Sequence, residues 1–152
     1  MGTVKIWTHG MTLHRQDYAG LPESAEAAAS YAHGAARRAF GRDAAEVAER
    51  LVRALAIDAL TRTPPDATFI LTTEFGLRQM RFEILDPALP VEGRVPGPEL
   101  AEISRLAHFS RVKDLLDGEG HLTWAVVLID TAPEMCGGSA APLPPVRDEA
   151  RS

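Results

Sequence analysis

Residues Ala48–Asp86, with the sequence AERLVRALAIDALTRTPPDATFILTTEFGLRQMRFEILD, carry the clearest signal for the fold. The first third of this stretch has apolar residues at every third or fourth position, which predicts an amphipathic helix. The helix must stop at Pro64, because the residue before a proline avoids helical backbone angles. After the prolines, apolar and polar residues alternate over 67–75 and again over 78–85, on either side of a short turn. This spacing predicts an antiparallel β-hairpin that follows the helix directly.

The chain before this stretch predicts one or two strands and two consecutive helices. Residues 3–18 have an interrupted apolar pattern and predict one or two short strands. Ser24 is a candidate N-cap for an alanine-rich helix over Ala25–Phe40, since its hydroxyl can accept a free N–H of the first turn. Asp43 followed three residues later by a glutamate resembles a capping box that opens the second helix, Ala44 to about Arg62.

The chain after the hairpin predicts a loop, a helix and a last strand. Four prolines and two glycines fall within Pro87–Pro98, which is typical of a loop. Helical spacing over Glu99–Leu116 predicts a third helix, and the apolar run His121–Ile129 predicts a strand. The expected fold is therefore α+β, a two-layer sandwich with a mainly antiparallel sheet covered on one face by three helices.

Composition sets the domain organisation and excludes several functional classes. Residues 1–130 form one predicted domain, and the Pro-, Ala- and Gly-rich residues 131–152 are predicted to be a disordered tail. The net charge of −5 argues against direct nucleic-acid binding, which needs a basic face. The single Cys136 cannot form an internal disulfide, and no apolar run is long enough to span a membrane. A cytoplasmic protein is expected.

Three segments resemble one family of nucleotide-binding proteins. They are Tyr18–Ser24 (YAGLPES), Leu51–Leu60 (LVRALAIDAL) and Arg81–Pro87 (RFEILDP). In this order they are similar to the GHKL (Bergerat-fold, histidine-kinase-like) ATPases, in the branch of small bacterial anti-sigma factors and serine-protein kinases. The resemblance covers roughly residues 11–130 and implies the Bergerat ATP-binding fold, with ATP and Mg²⁺ as cofactors.

The resemblance assigns roles to three positions, two of which carry altered residues. The family's catalytic glutamate falls on Ala54, which cannot move a proton, so no catalytic residue is predicted. The family's Mg²⁺-holding asparagine falls on Asp58, whose oxygens can bind the metal but add negative charge beside a triphosphate. Asp86 matches the aspartate that accepts from the adenine amino group. The glycines of the family's phosphate-binding segments are missing after Asp86 and within Glu99–Phe109.

Each of these assignments has a simpler alternative. Asp58 could be an ordinary helix-surface acid paired with Arg62 four residues later. Asp86, which precedes a proline, could be only a turn residue. His108 with its neighbours Arg105 and Arg111 could bind a phosphate or form a solvated helix face.

The sequence is compatible with two regulatory functions and with a third, structural one. The first is a regulatory protein that binds a protein partner, a sigma factor or an anti-sigma antagonist, with weak or lost ATP binding and no enzymatic activity. The second is an active ATP-dependent serine-protein kinase with a divergent nucleotide site. The third is an assembly module that forms a homodimer, since family members often pair through the first helix, here Ala25–Phe40.

Overall fold

The computed structural model describes residues 4–8, 11–115 and 118–130. Within these residues six strands and three helices follow one another as ββααββαββ. The elements are β1 (Val4–Thr8), β2 (Met11–Ala19), α1 (Glu23–Phe40), α2 (Arg42–Leu60), β3 (Thr68–Phe75), β4 (Gln79–Asp86), α3 (Glu99–Leu106), β5 (Phe109–Asp114) and β6 (His121–Leu128). The predicted α+β class is confirmed.

The described strands form one antiparallel sheet in the order β1-β2-β3-β4-β6-β5. Burial alternates along β3 and β4, as expected for strands with one covered face. α1 packs against α2 and contacts β2 and β3, while α2 contacts β4 and α3 contacts β5. The helices therefore form the second layer of a two-layer sandwich.

Alanine determines how closely the first two helices approach. Ala28, Ala32 and Ala36 of α1 and Ala45 and Ala48 of α2 are fully buried. Small side chains at a helix–helix contact let the backbones come close together and leave the larger residues to fill the space above the sheet. Those larger residues are Leu51, Leu55, Phe69, Leu71, Met80, Phe82 and Ile84.

The predicted caps of the first two helices are wrong. α1 begins at Glu23, and Ser24 is a buried residue of its first turn that forms no cap hydrogen bond. α2 begins immediately after Gly41, so Asp43 lies inside its first turn and forms no side-chain cap. Gly41 has φ of +101°, which lets the chain reverse in one residue. Because Gly41 is both the last cap of α1 and the first cap of α2, no separate residue with a polar side chain caps α2. Asp43 can therefore stabilise α2 only through its charge near the positive end of the helix dipole.

The predicted helix over Glu99–Leu116 is also partly wrong, because it ends at Leu106 and is followed by β5. All six residues of β5 are exposed. A strand exposed on both faces has no apolar alternation, so the sequence carries no period-2 signal for it. Only its pairing with β6 in the folded sheet defines it as a strand.

The hairpin around Gly76, the loop over 87–98 and the last strand are confirmed, with bounds shifted by at most a residue or two. The predicted tail and Cys136 lie outside the described residues. None of the helices in the described ranges is long and apolar enough to cross a membrane.

Candidate functional site

Two aspartates from different layers meet at one arginine. Asp58 lies in the last turn of α2, and Asp86 is the last residue of β4. Arg62 follows α2 and donates from Nη2 to Asp58 Oδ2 at 2.6 Å and from Nε to Asp86 Oδ2 at 3.0 Å. The two carboxylates therefore share one guanidinium. We call Asp58, Arg62 and Asp86 the aspartate–arginine bridge.

The bridge is almost removed from solvent. The Asp58 and Asp86 side chains are 3% and 1% exposed, and that of Arg62 is 19% exposed. Burying a charge is costly unless it is paired and hydrogen-bonded, and here each carboxylate faces the same cation. Two negative groups beside one buried positive group make this a net anionic cluster.

Asp86 is held by a second contact, to the turn that follows it. Its Oδ1 accepts the Ala88 N–H at 2.9 Å. Burial raises the pKa of the Asp86 carboxyl, and the charge of Arg62 and the Ala88 hydrogen bond offset this only in part. Burial lowers the pKa of the Arg62 guanidinium, but the hydrogen bond with Asp58 and the two aspartate charges outweigh it, so the pKa is raised. Arg62 is a permanent cation.

The loop after Asp86 folds back over the end of α2. We call residues 87–98 the strap. The Leu89 N–H donates to the Arg62 carbonyl and the Val91 N–H to the Thr61 carbonyl, both at 3.0 Å. These bonds use carbonyls that follow the last turn of α2 and hold the strap beside the bridge.

Arg94 of the strap makes the strongest of these attachments. Its guanidinium donates to the carbonyls of Leu60 and Thr63, each at 2.9 Å, and to that of Gly20 at 3.0 Å. A cation at a helix C-terminus is favoured by the helix dipole and by the unsatisfied carbonyls there. Arg94 thus links the strap, the end of α2 and the start of α1.

Ala54 lies one helical turn before Asp58 in α2 and lines a hollow of about 270 Å³ between α2 and the start of α3. Three of the four charged residues that line this hollow form ion pairs, and the fourth, Glu99, accepts the Gly97 N–H at 2.9 Å. Arg50 contacts Glu102 at 3.0 Å, and Arg53 contacts Glu26 and Glu49, both at 2.8 Å. The hollow therefore has apolar walls and a rim of ion pairs, with no proton-transfer group at Ala54.

Mg²⁺ and ATP do not fit the residues assigned to them. A metal at Asp58 would have to displace Arg62 from 2.6 Å, and adenine at Asp86 would have to replace the Arg62 and Ala88 hydrogen bonds. The segment that should carry a glycine-rich phosphate loop is the strap, fixed by backbone bonds and Arg94. Among the described residues no group of three or more His, Cys, Asp or Glu side chains could hold a metal ion.

The aspartates were singled out from the sequence, and Arg62 was identified only as a helical neighbour of Asp58. The spacing of four residues predicts the pair of Asp58 and Arg62. The second hydrogen bond of Arg62 is to Asp86, which lies 24 positions later in the sequence, and no local spacing predicts it. Asp58 is not a surface acid, because it is buried. Arg94 lies in a proline-rich loop, where no local pattern marks it.

The cluster of Arg105, His108 and Arg111, interpreted from the sequence as either a phosphate site or a solvated helix face, does not lie on one helix face. Arg105 in α3 pairs with Glu102 at 2.7 Å. His108 lies between α3 and β5, and its Nδ1 accepts the Leu128 N–H at 3.0 Å. Arg111 is an exposed residue of β5. The three side chains thus come from three different parts of the fold.

Comparison with known proteins assigns no family to this arrangement. No protein-family model matches the chain, and no curated protein matches its sequence.

Proposed function

We propose that this chain is a regulatory protein that acts by binding a protein partner, and that it does so without a working nucleotide site. The observation that carries the proposal is the aspartate–arginine bridge. Asp58 and Asp86, the two residues that the family resemblance assigns to Mg²⁺ and adenine, are both hydrogen-bonded to Arg62. Because three sequence segments resemble the small anti-sigma kinases, the proposed partner is a sigma factor or an anti-sigma antagonist.

The free energy of the site favours the aspartate–arginine bridge over a bound nucleotide. Removing Arg62 from two buried carboxylates costs about 3–5 kcal/mol when nothing replaces it. Mg²⁺ could replace the lost charge, but ATP would bring a triphosphate next to a cluster that is already anionic. Ala54 supplies no base, and loss of a base alone lowers phosphoryl-transfer rates by about 10² to 10⁴.

Thermal unfolding with and without ATP and Mg²⁺ tests the loss of nucleotide binding. A ligand at about 100 times its Kd adds about 2.7 kcal/mol and would raise the Tm by about 5 °C or more. We expect millimolar ATP with Mg²⁺ to raise the Tm by less than about 1 °C. A magnesium salt of the same ionic strength should give the same change in Tm. A large ATP-specific shift that disappears in Asp86→Asn would overturn the proposal and favour the alternative, an ATP-dependent serine-protein kinase.

Partner capture tests the regulatory half of the proposal. The tagged chain, expressed in its native host, should retain a sigma factor or an antagonist whether or not ATP is added. Retention that requires ATP, or transfer of phosphate to the captured protein, would contradict it. The Ala54→Glu variant is a useful companion, because restoring an acid at that position should not create transfer while Arg62 occupies both aspartates.

A further inference from the structure

Within the described part of the chain, one edge of the strand β5 has no hydrogen-bonded neighbour. Among the described strands β5 pairs only with β6, and all six of its residues are exposed. The Leu115 N–H bonds the Gly120 carbonyl at 2.8 Å, next to the β5–β6 turn. Since backbone groups alternate in an antiparallel pair, Ser110 and Val112 direct their N–H and C=O groups away from β6. This edge can accept another strand.

On the sheet face that the helices leave uncovered, the side chains along this edge are basic and aromatic, whereas the other face of β5 carries Ser110, Val112 and Asp114, of which Asp114 pairs with His121. Arg111 lies opposite Trp124 of β6 and Lys113 opposite Leu122, so both are on the sheet face that the helices leave uncovered. Phe109, on the same face, is 58% exposed. Neither Arg111 nor Lys113 forms an ion pair with any described residue, although the whole chain has a net charge of −5. The edge is a local positive strip on an acidic protein.

We propose that β5 is the docking edge for an extended, acidic segment of the protein partner, which adds as a seventh strand. This inference rests on the proposed function and specifies the surface that performs it. Backbone groups of Ser110 and Val112 bind the partner's main chain, while Arg111 and Lys113 attract its carboxylates. Phe109 and the neighbouring Trp124, which stacks under Arg81 at 5.1 Å, provide the apolar contact.

Charge decides between this occupant and a second copy of the chain. Pairing β5 with β5 would place Arg111 and Lys113 of one copy beside the same cations of the other, which is unfavourable for directly facing strands. Basic side chains on an edge strand commonly prevent such self-association. Basic side chains do not oppose a strand that carries glutamate or aspartate. Arg111 and Lys113 therefore disfavour a second copy of the chain and favour an acidic segment of another protein.

Two capped six-residue peptides test the proposal, one of alternating glutamate and valine and the other of alternating lysine and valine. Binding to the full ¹⁵N-labelled chain is followed by NMR, with hydrogen exchange at the free edge. The acidic peptide should bind at least about tenfold tighter than the basic one. It should shift the amide signals of β5 and slow exchange at Ser110 and Val112.

The double variant Arg111→Glu/Lys113→Glu should invert the preference between the two peptides, because the strip becomes acidic. Arg37→Glu/Arg42→Glu is the matched control, since it makes the same charge change at exposed helical positions outside the strand. That control should bind both peptides as the unchanged chain does. Inversion of preference cannot result from misfolding alone, so it separates recognition from damage to the fold.

Equal affinity for the two peptides, or signal changes confined to α1 or β1, would overturn the docking edge. Dimer formation detected by light scattering would also overturn it, if the Arg111→Glu/Lys113→Glu variant strengthened or abolished the dimer. The edge would then bind a second copy of the chain. These results would leave the proposed regulatory function standing with another surface. ATP binding would overturn the proposed function without changing the peptide results.

Discussion

Replacing Arg62 by methionine should destabilise the protein in a pH-dependent way. The substitution keeps a long side chain of similar volume but removes the only side chain that forms an ion pair with Asp58 and Asp86 among the described residues, and it leaves His121 as the remaining positive influence on Asp86. Both carboxylates are nearly inaccessible to solvent, so breaking this buried pair is expected to cost about 3–5 kcal/mol at neutral pH. Since domains of this size are stable by about 5–15 kcal/mol, the variant should still fold.

The pH dependence follows from Asp86. Burial already raises its pKa, and loss of the Arg62 charge removes an effect that lowers it, so the pKa of Asp86 rises further in the variant. A carboxyl whose folded pKa lies above its unfolded value binds protons preferentially in the folded state. Its contribution to stability is greatest below the unfolded pKa, near about 4, and is lost as pH rises through the folded pKa.

Urea unfolding of Arg62→Met and of the unchanged chain, at pH 5 and at pH 7.5, measures this effect. The difference in unfolding free energy between the two proteins should be smaller at pH 5, with a limiting slope of about 1.4 kcal/mol per pH unit for one group. The triple variant Asp58→Asn/Arg62→Met/Asp86→Asn is the control and should lose the pH dependence. A loss below about 1 kcal/mol, the same at both pH values, would refute the view that Arg62 compensates two buried charges.

Two further substitutions test packing near and away from the bridge. Gly20→Ala should lower the free energy of unfolding in urea by about 3 kcal/mol. A Cβ at this position would lie 2.1 Å from the Pro64 carbonyl oxygen, a backbone atom that cannot move aside. An unchanged free energy of unfolding would mean that the loop before α1 is not fixed against the end of α2. Thr73→Val should raise stability by about 1 kcal/mol, because the Thr73 hydroxyl is buried without a hydrogen-bond partner among the described residues. Thr63→Val is its control and should lower stability, since the Thr63 hydroxyl donates to the Ala59 carbonyl at 2.7 Å. Thr73→Val with unchanged or reduced Tm would indicate that the hydroxyl is satisfied.

Elements fixed by short-range chemistry were predictable. The hairpin around Gly76 follows from alternation within each strand, and the end of α2 follows from the prolines at 64 and 65. The cap residues were not predictable. α1 begins at Glu23, directly after Pro22, so Ser24 lies in its first turn, and Gly41 joins α1 to α2 directly, so Asp43 lies in the first turn of α2. Whether a polar residue caps a helix depends on the angle at which the chain enters, which a motif does not specify.

Periodicity and proline act over a few residues, so they were sufficient to predict the α+β class, the two long helices and the hairpin. Asp58 and Asp86 were singled out by the family resemblance. Tertiary structure alone decided that β5 is an edge strand, since an exposed strand has no apolar pattern and is defined by its neighbour. It also decided what the two aspartates do. Arg62, just after the end of α2, bonds to Asp58 four residues earlier but meets Asp86 only because the end of α2 packs beside the end of β4. A charge pair across that distance in sequence becomes a contact only when the sheet and the helical layer have come together.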